Sequence, residues 1–248
     1  MDFSTVFGVI AFVALIFTGI ATNQITSSLF NMHGVFVVLG GVSVAMLLSS
    51  PLDYLVKAVT ELKSLMLDDE AAHLKKTLPV LVAVAEQCRM KGVSALKDVD
   101  RKLADGFLGR VADAALDSND YKFTKQVIEQ EINQAADEMN EIANVYRTMG
   151  LLAPMFGLLG TLIGIISVLK QLSDPESVGP AMGVAITSAF YGILFANMVC
   201  VPISCKIRAR IWLRVKLKSM ILEGVLEIMK GSMPIVVERR LQAFLIYK

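Results

Sequence analysis

The sequence predicts an all-α membrane protein with four transmembrane helices, a helical cytoplasmic domain between the second and third, and long helical extensions of spans three and four. Three observations carry that reading. Although 19% of the 248 residues are charged, Phe3 to Leu52 contains no Asp, Glu, Lys or Arg. Met149 to Leu169 and Gly179 to Cys205 are likewise apolar and uncharged, and each is long enough to cross a bilayer, which takes roughly 20 residues. Between and after these runs the chain keeps a helical period with few interruptions by Pro or Gly.

Residues 1–51 make a first transmembrane hairpin, Phe3 to Ala21 and Gly34 to Ser50, separated by the polar stretch TNQITSSLFNMH. A secretory signal is the poorer reading of the first segment, because no basic residue precedes it and no small-x-small site leads into a charged domain. Pro51 closes the second span. YLVKAVTELKSLML then sets Leu55, Val59, Leu62 and Met66 at helical spacing, as an amphipathic helix at the inner membrane face would.

Residues 52–148 are expected to form the cytoplasmic helical domain, broken at Gly92 and around Gly106 and Gly109, with DSND before Tyr121 supplying an N-cap. From Tyr121 neither Pro nor Gly occurs before the third span, so one long helix should run into it. Residues 149–205 make the second transmembrane hairpin, joined by KQLSDPESV. The tail, 206–248, continues the fourth span in a helical pattern as far as Gly231.

Basic residues orient the chain. Of 24 Lys and Arg, 13 lie between Leu52 and Thr148, 10 lie after Cys205, and Lys170 alone falls in a short loop. The positive-inside rule puts both termini and the central domain in the cytoplasm. A net charge of +1 gives no reason to expect a nucleic-acid surface. The run Lys206, Arg208, Arg210, Arg214, Lys216 and Lys218 directly follows a span, where contact with membrane lipid headgroups is the plain reading.

No metal-ligand spacing, phosphate loop or nucleophile with an orienting base is present, which argues against an enzyme, a metal centre or a cofactor. His33 and His73 are expected on opposite sides of the membrane. Cys88, Cys200 and Cys205 read as reduced structural thiols.

The second hairpin is distinctive for its small faces. Gly150, Pro154, Gly157, Thr161, Gly164 and Val168 recur along the third span, and Ala181, Ala185, Ser188, Gly192 and Ala196 along the fourth. Such faces let helices approach closely, and a hydroxyl within one is either a hydrogen bond or a polar step on a narrow path. An ion-carrying protein usually holds an ionisable group within the membrane. None of the four spans has a carboxylate, so for ion transport another chain must supply it.

APMFGLLGTLIGIISVLKQLSDP followed by GPAMGVAITSAFYGILFANMVCVP resembles the third and fourth spans of the MotA/PomA family of flagellar stator subunits, within the MotA/TolQ/ExbB superfamily. EGVLEIMKGSMP resembles that family's cytoplasmic end, and the order of segments matches across essentially the whole chain. TolQ and ExbB share the character of the pore helices but have three spans, with the cytoplasmic domain after the first. The resemblance implies a homo-pentamer in the bacterial inner membrane, around a single-span partner of the MotB/PomB type whose aspartate binds the ion. It implies transported H+ or Na+ and no other cofactor, with torque delivered to the rotor protein FliG.

Carried over by position, Thr161 matches the pore threonine of the third span, and Pro154 and Pro202 match the prolines that couple ion flow to movement. Arg89, in RMKGVSALKD, matches a rotor-contacting basic residue. Two departures stand out. Where the family usually has an acidic residue eight positions later, this chain has Lys97 with Asp98 beside it. Where sodium-type members show two adjacent threonines it has Ser188 and Ala189, with Thr187 one place earlier; proton-type members keep the second threonine, so neither pattern fits cleanly and the reading leans to protons.

Other readings stand beside these. Thr161 and Ser188 could bond backbone carbonyls one turn back, the prolines could be ordinary kinks, and Arg89 could be a solvated helix charge. Asn197 reads as a bond between helices. As a whole, the chain could be a non-flagellar TolQ/ExbB-like motor subunit energising an envelope process, or a structural scaffold.

Overall fold

A computed structural model describes residues 3–22, 31–67, 70–118, 120–171 and 175–245. Every regular element among them is helical. In chain order these are α1 (Phe3–Ala21), α2 (Met32–Ser49), α3 (Leu52–Leu67), α4 (Glu70–Lys91), a 3-10 helix (Val93–Asp98), α5 (Phe107–Ser118), α6 (Tyr121–Lys170), α7 (Pro175–Phe195), a π-helical turn (Ala196–Cys200), α8 (Val201–Met229) and α9 (Pro234–Gln242).

Among the described residues, three helical stretches are long and apolar enough to cross a membrane: Met32–Ser49, part of Tyr121–Lys170 and part of Val178–Met229. The first expected segment is helical throughout Phe3–Ala21, with Ile10–Gly19 as a shorter apolar stretch. Helix α6 runs 50 residues without a break, through Pro154. Pro154 has no N–H to give the Gly150 carbonyl, and its neighbours hold the helix together across that gap.

The chain divides into two compact units, one of residues 1–68 with 141–207 and the other of 69–140 with 208–248. In the second, α4, α5, α8, α9 and the N-terminal part of α6 surround a core in which Leu81, Phe107, Leu108, Val111, Met220, Ile221, Val225 and Leu241 are fully buried. Positive φ at Gly92 (82°) and Gly106 (80°) marks two of the expected breaks, since glycine enters that region without a Cβ clash. Gly109, expected at a break, lies inside α5 and is buried, with Arg101 packed beside it. The N-cap before Tyr121 forms as expected: Lys122 N–H donates to Asp120 Oδ1 at 2.8 Å.

Helix α3 leaves Val59, of its expected apolar stripe, exposed within the protomer and packs through a small residue. Val56 and Val59 are exposed while Ala58 is buried, and the Ala58 carbonyl accepts a bond from Tyr146 Oη at 2.8 Å. A small residue is needed there because the backbone itself is the contact. Leu55 is half-buried, and the Leu62 and Met66 side chains lie outside the described residues.

Candidate functional site

Small residues of the second hairpin do pack on one another, along a line slightly different from the expected one. A Cβ on Gly157 would lie 2.9 Å from the Ser188 carbonyl oxygen, one on Gly160 2.6 Å from Ser188 Oγ, and one on Gly164 2.8 Å from Ala185 Cα. From the other side, a Cβ on Gly192 would lie 2.6 Å from the Ala153 carbonyl oxygen and 3.2 Å from Pro154 Cα. Real Cβ atoms do not approach so closely, so these glycines are what lets α6 and α7 meet backbone to backbone. The contact line on α6 is Gly150, Ala153, Gly157, Gly160 and Gly164, spaced three and four residues apart as one helix face requires. Gly160 and Ala153 were missing from the sequence reading. The alternation of three and four from Gly150 was the signal, and Thr161 lies one residue, about 100° of helix rotation, off that line.

That offset separates the hydroxyls into two kinds. Thr187 and Ser188 are 2% and 0% exposed. Thr187 Oγ1 donates to the Gly183 carbonyl at 2.8 Å and Ser188 Oγ to the Val184 carbonyl at 2.7 Å. Helix α2 covers them: a Cβ on Gly34 would lie 3.0 Å from Thr187 Oγ1 and 3.2 Å from Ser188 Oγ. Gly34 heads the buried face Gly34, Val38, Val42 and Met46, and Gly41 makes room on the same helix for the Phe156 ring. Neither glycine was singled out from the sequence, because α2 is apolar all round and its period gives no face. Ala189 is half-buried, with its Cα 3.3 Å from where a Gly157 Cβ would be.

Thr161 is half-buried, and its Oγ1 donates to the Leu158 carbonyl at 2.6 Å. With the proton committed to its own helix, the oxygen retains acceptor capacity. Around it Leu158, Leu162 and Ile165 are exposed within the protomer. Asn197 bonds its own helix, Nδ2 donating to the Ile193 carbonyl at 3.0 Å, and is exposed; among the described residues, the bond between helices expected for it is not made.

Pro154 sits in the packed face beside Gly192. Pro202 is exposed and follows the π-helical turn Ala196–Cys200 directly. A π turn inserts one residue into an α-helix, and such turns are frequent at functional sites. The sequence reading did not foresee it.

Arg89, Lys97 and Asp98 occupy one continuous corner of the other unit: the last turn of α4, a glycine turn at Gly92, and the 3-10 helix. All three are exposed, and buried Ala95 and Leu96 anchor the segment from below. None of the three forms an ion pair with another described residue, which leaves their charges available to a partner. Cys88 and Cys200 are buried, Cys205 is exposed, and all are free. Burial pushes the Cys88 thiol above its ordinary value, as fits an inert core residue.

Glycine-packed apolar helices of membrane-crossing length, continued by a helical unit bearing exposed charges, define a helical membrane type of protein. Residues 99–220 match the MotA/TolQ/ExbB proton channel family. The chain is 30% identical to Motility protein A of Aquifex aeolicus, across 96% of this chain and 94% of that one. It is 29% identical to Motility protein A of Treponema phagedenis, across 99% and 94%. Its fold matches a chain in the structure of the flagellar MotAB stator complex from Bacillus subtilis with a TM-score of 0.85 at 23% identity, covering 99% of this chain and 96% of that chain. The chain belongs to the MotA/TolQ/ExbB proton channel family.

Proposed function

We propose that the chain is the ion-channel subunit of a flagellar stator, coupling proton or sodium flow across the bacterial inner membrane to torque on the rotor. The observation that carries this is the relationship to Motility protein A of two organisms over nearly the full length, joined to membrane-length apolar segments without a carboxylate. That relationship favours the stator over an envelope motor of the TolQ/ExbB type and over a scaffold.

In this reading the four apolar segments all span the membrane, with both termini, residues 52–148 and residues 206–248 in the cytoplasm. Five copies surround a dimer of a single-span partner of the MotB/PomB type, whose aspartate holds the ion. The exposed apolar residues of α6 are then covered by neighbouring copies, partner or lipid. Thr161, the half-exposed hydroxyl, lies on the ion path. Thr187 and Ser188, with Ala189 beside them, shape the α7 wall from behind. Pro154 and Pro202 couple movement to flow. Arg89, Lys97 and Asp98 form the contact with the rotor protein FliG. One charge falling through ~100 mV releases about 2.3 kcal/mol, so a useful stroke draws on several ions.

Reconstitution tests the reading. Vesicles containing this chain alone should show no ion flux, and vesicles containing it with the partner subunit should conduct. Robust flux without the partner would overturn the proposal, because it would place an ion site within this chain.

A further inference from the structure

The contact line of the second hairpin decides which of its sides stays open. Gly150 lies against Cys200 and Gly164 against Ala185, so the two helices run antiparallel. One residue turns a helix by about 100°, and seen from one end antiparallel helices turn in opposite senses, so residues one past the contact line come to the same side. Thr161 follows Gly160, while Ala189, Ile193 and Asn197 follow Ser188, Gly192 and Ala196. These four share one side. Phe156 and Thr187, each one residue before the line, turn the other way, and there α2 packs over them at Gly41 and Gly34. The side of Thr161 is left open: Ile193 and Asn197 are exposed, and Thr161 and Ala189 are half-buried.

Asn197 stands nine residues beyond Ser188, about 14 Å along the helix at 1.5 Å per residue. Its amide faces the Ile193 carbonyl at 3.0 Å, and because a carbonyl only accepts, the nitrogen is the atom turned inward and Oδ1 keeps its lone pairs. The main chain adds a second acceptor. Val201 N–H reaches back five residues to the Ala196 carbonyl, and Pro202, next in line to serve the Asn197 carbonyl, has no N–H. That carbonyl is without a donor from its own helix. At membrane depth such a group is tolerated where protein buries it or water reaches it. Within the protomer Asn197 is not buried.

We propose that Asn197 contacts the cation at the cytoplasmic end of the ion path, where its Oδ1 and its main-chain carbonyl stand in for hydration water around a monovalent cation in transit, sodium or hydronium. Carbonyl oxygens replace a hydration shell in this way in selectivity filters. The inference rests on the ion-channel reading above, in which Thr161 lies on the path and the chain beyond Cys205 is cytoplasmic. It adds a second polar position to the row that holds Thr161. Ala189 and Ile193 lie between them and offer no side-chain ligand, so an ion is held at separate levels and tightly at neither, as conduction requires. A proline kink alone would account for the free carbonyl. It would not account for an acceptor side chain on the same residue, on the same open side as Thr161.

Accessibility and conduction, both measured on the full chain assembled with its partner subunit, test the proposal. Asn197→Cys is made in a Cys205→Ser background, since Cys205 is exposed whereas Cys88 and Cys200 are buried. In inverted vesicles, whose outer surface is cytoplasmic, a charged methanethiosulfonate should label the thiol at position 197. Sodium and proton fluxes, each driven by its own gradient, identify the ion carried by the parent complex. That flux should fall about tenfold in Asn197→Leu, the equivalent of one hydrogen bond to a charged group. If Asn197→Leu fails to assemble, labelling decides. Labelling by an uncharged reagent but not by the charged one would put Asn197 against lipid or a neighbouring copy and overturn the proposal, as would undiminished flux in assembled Asn197→Leu. In both cases a conducting parent complex leaves the ion-channel reading standing. A parent complex that conducts neither ion would overturn that reading and this inference with it.

Discussion

Gly157 and Gly192 face each other across the contact of α6 and α7, each so close that a methyl group on either would press on the other's Cα, at 3.3 Å from Gly157 and 3.1 Å from Gly192. The tighter obstacle is backbone: the Ala153 carbonyl oxygen lies 2.6 Å from the Gly192 Cβ position. Backbone cannot rotate away as a flexible side chain can. Gly192→Ala should therefore destabilise the hairpin by about 1 to 3 kcal/mol, the usual cost of overpacking. Gly40→Ala and Gly183→Ala, which meet nothing within 4 Å, should be tolerated. Thermal unfolding in detergent compares the three; equal stability would remove the close approach as a structural requirement.

Thr161→Val and Ser188→Ala should separate path from packing. A hydrogen bond within the membrane averages about 0.6 kcal/mol, so Thr161→Val should assemble normally. Conduction and torque should fall sharply, because an ion on a narrow path loses a ligand that no solvent replaces. Ser188 is sealed by Gly34 and Gly160, so its loss should change stability more than flux. Normal ion turnover by Thr161→Val in reconstituted complexes would put the path elsewhere.

Arg89→Glu should leave folding and membrane assembly unchanged, since Arg89 is exposed at the end of α4. Motility should drop, and a charge reversal on the rotor protein should restore part of it. Swimming assays beside quantification of the assembled complex check this. Loss of assembly would make the residue structural.

Glu227 gives a pH prediction. It is 3% exposed, and it accepts from Lys230 Nζ at 2.8 Å and Ser232 Oγ at 2.7 Å, with Arg240 Nη1 at 3.1 Å. Burial works to raise its carboxyl, but the bonds from Lys230 and Ser232 and the charges of Lys230 and Arg240 outweigh it and hold the carboxyl below its ordinary value of 4.5. A depressed folded-state value means the contribution is complete above the ordinary carboxylate range and is lost as pH falls through the folded value. Glu227→Gln should cost about 1.5 to 3 kcal/mol at neutral pH, the worth of hydrogen bonds to a charged group. The difference from the parent should shrink in acid. A gap that is constant from neutral pH into acid, followed by denaturant titration, would show that charge is not what the site uses.

Much of this architecture is legible in the sequence because length and period suffice for it. The absence of Pro and Gly from Tyr121 to Thr148 foretells a single helix, and α6 is one helix. Gly92 and Gly106 announce turns through the φ values only glycine adopts freely. Facing is harder. Thr161 and Gly160 differ by one position, and a rotation that small decides whether a hydroxyl is sealed or half-open. In α3 the apolar pattern marks Leu55 and Val59 but gives no sign of Ala58, whose backbone carbonyl is what the Tyr146 hydroxyl meets. Left-handed Ala104 and Asp105 leave no trace in composition, since residues of those types are ordinary almost everywhere.

The π-helical turn at Ala196–Cys200 sets the phase of everything that follows it. Ser188, Gly192, Ala196, Cys200 and Ser204 are all buried at intervals of four, and in a regular α-helix each such step overshoots a full turn by about 40°. The wider turn absorbs part of that drift. It keeps Ser204 aimed at the Ala143 carbonyl, to which its Oγ donates at 3.0 Å. A one-residue change in chain length is therefore absorbed within this turn. Because the π turn holds one residue more than the α turn it replaces, removing one of its five residues would restore an unbroken α-helix with Ser204 near its present phase, whereas one residue inserted into the regular helix before Ser204 would rotate it by about 100°; the turn is thus the one place in this helix where a deletion should be milder than an insertion.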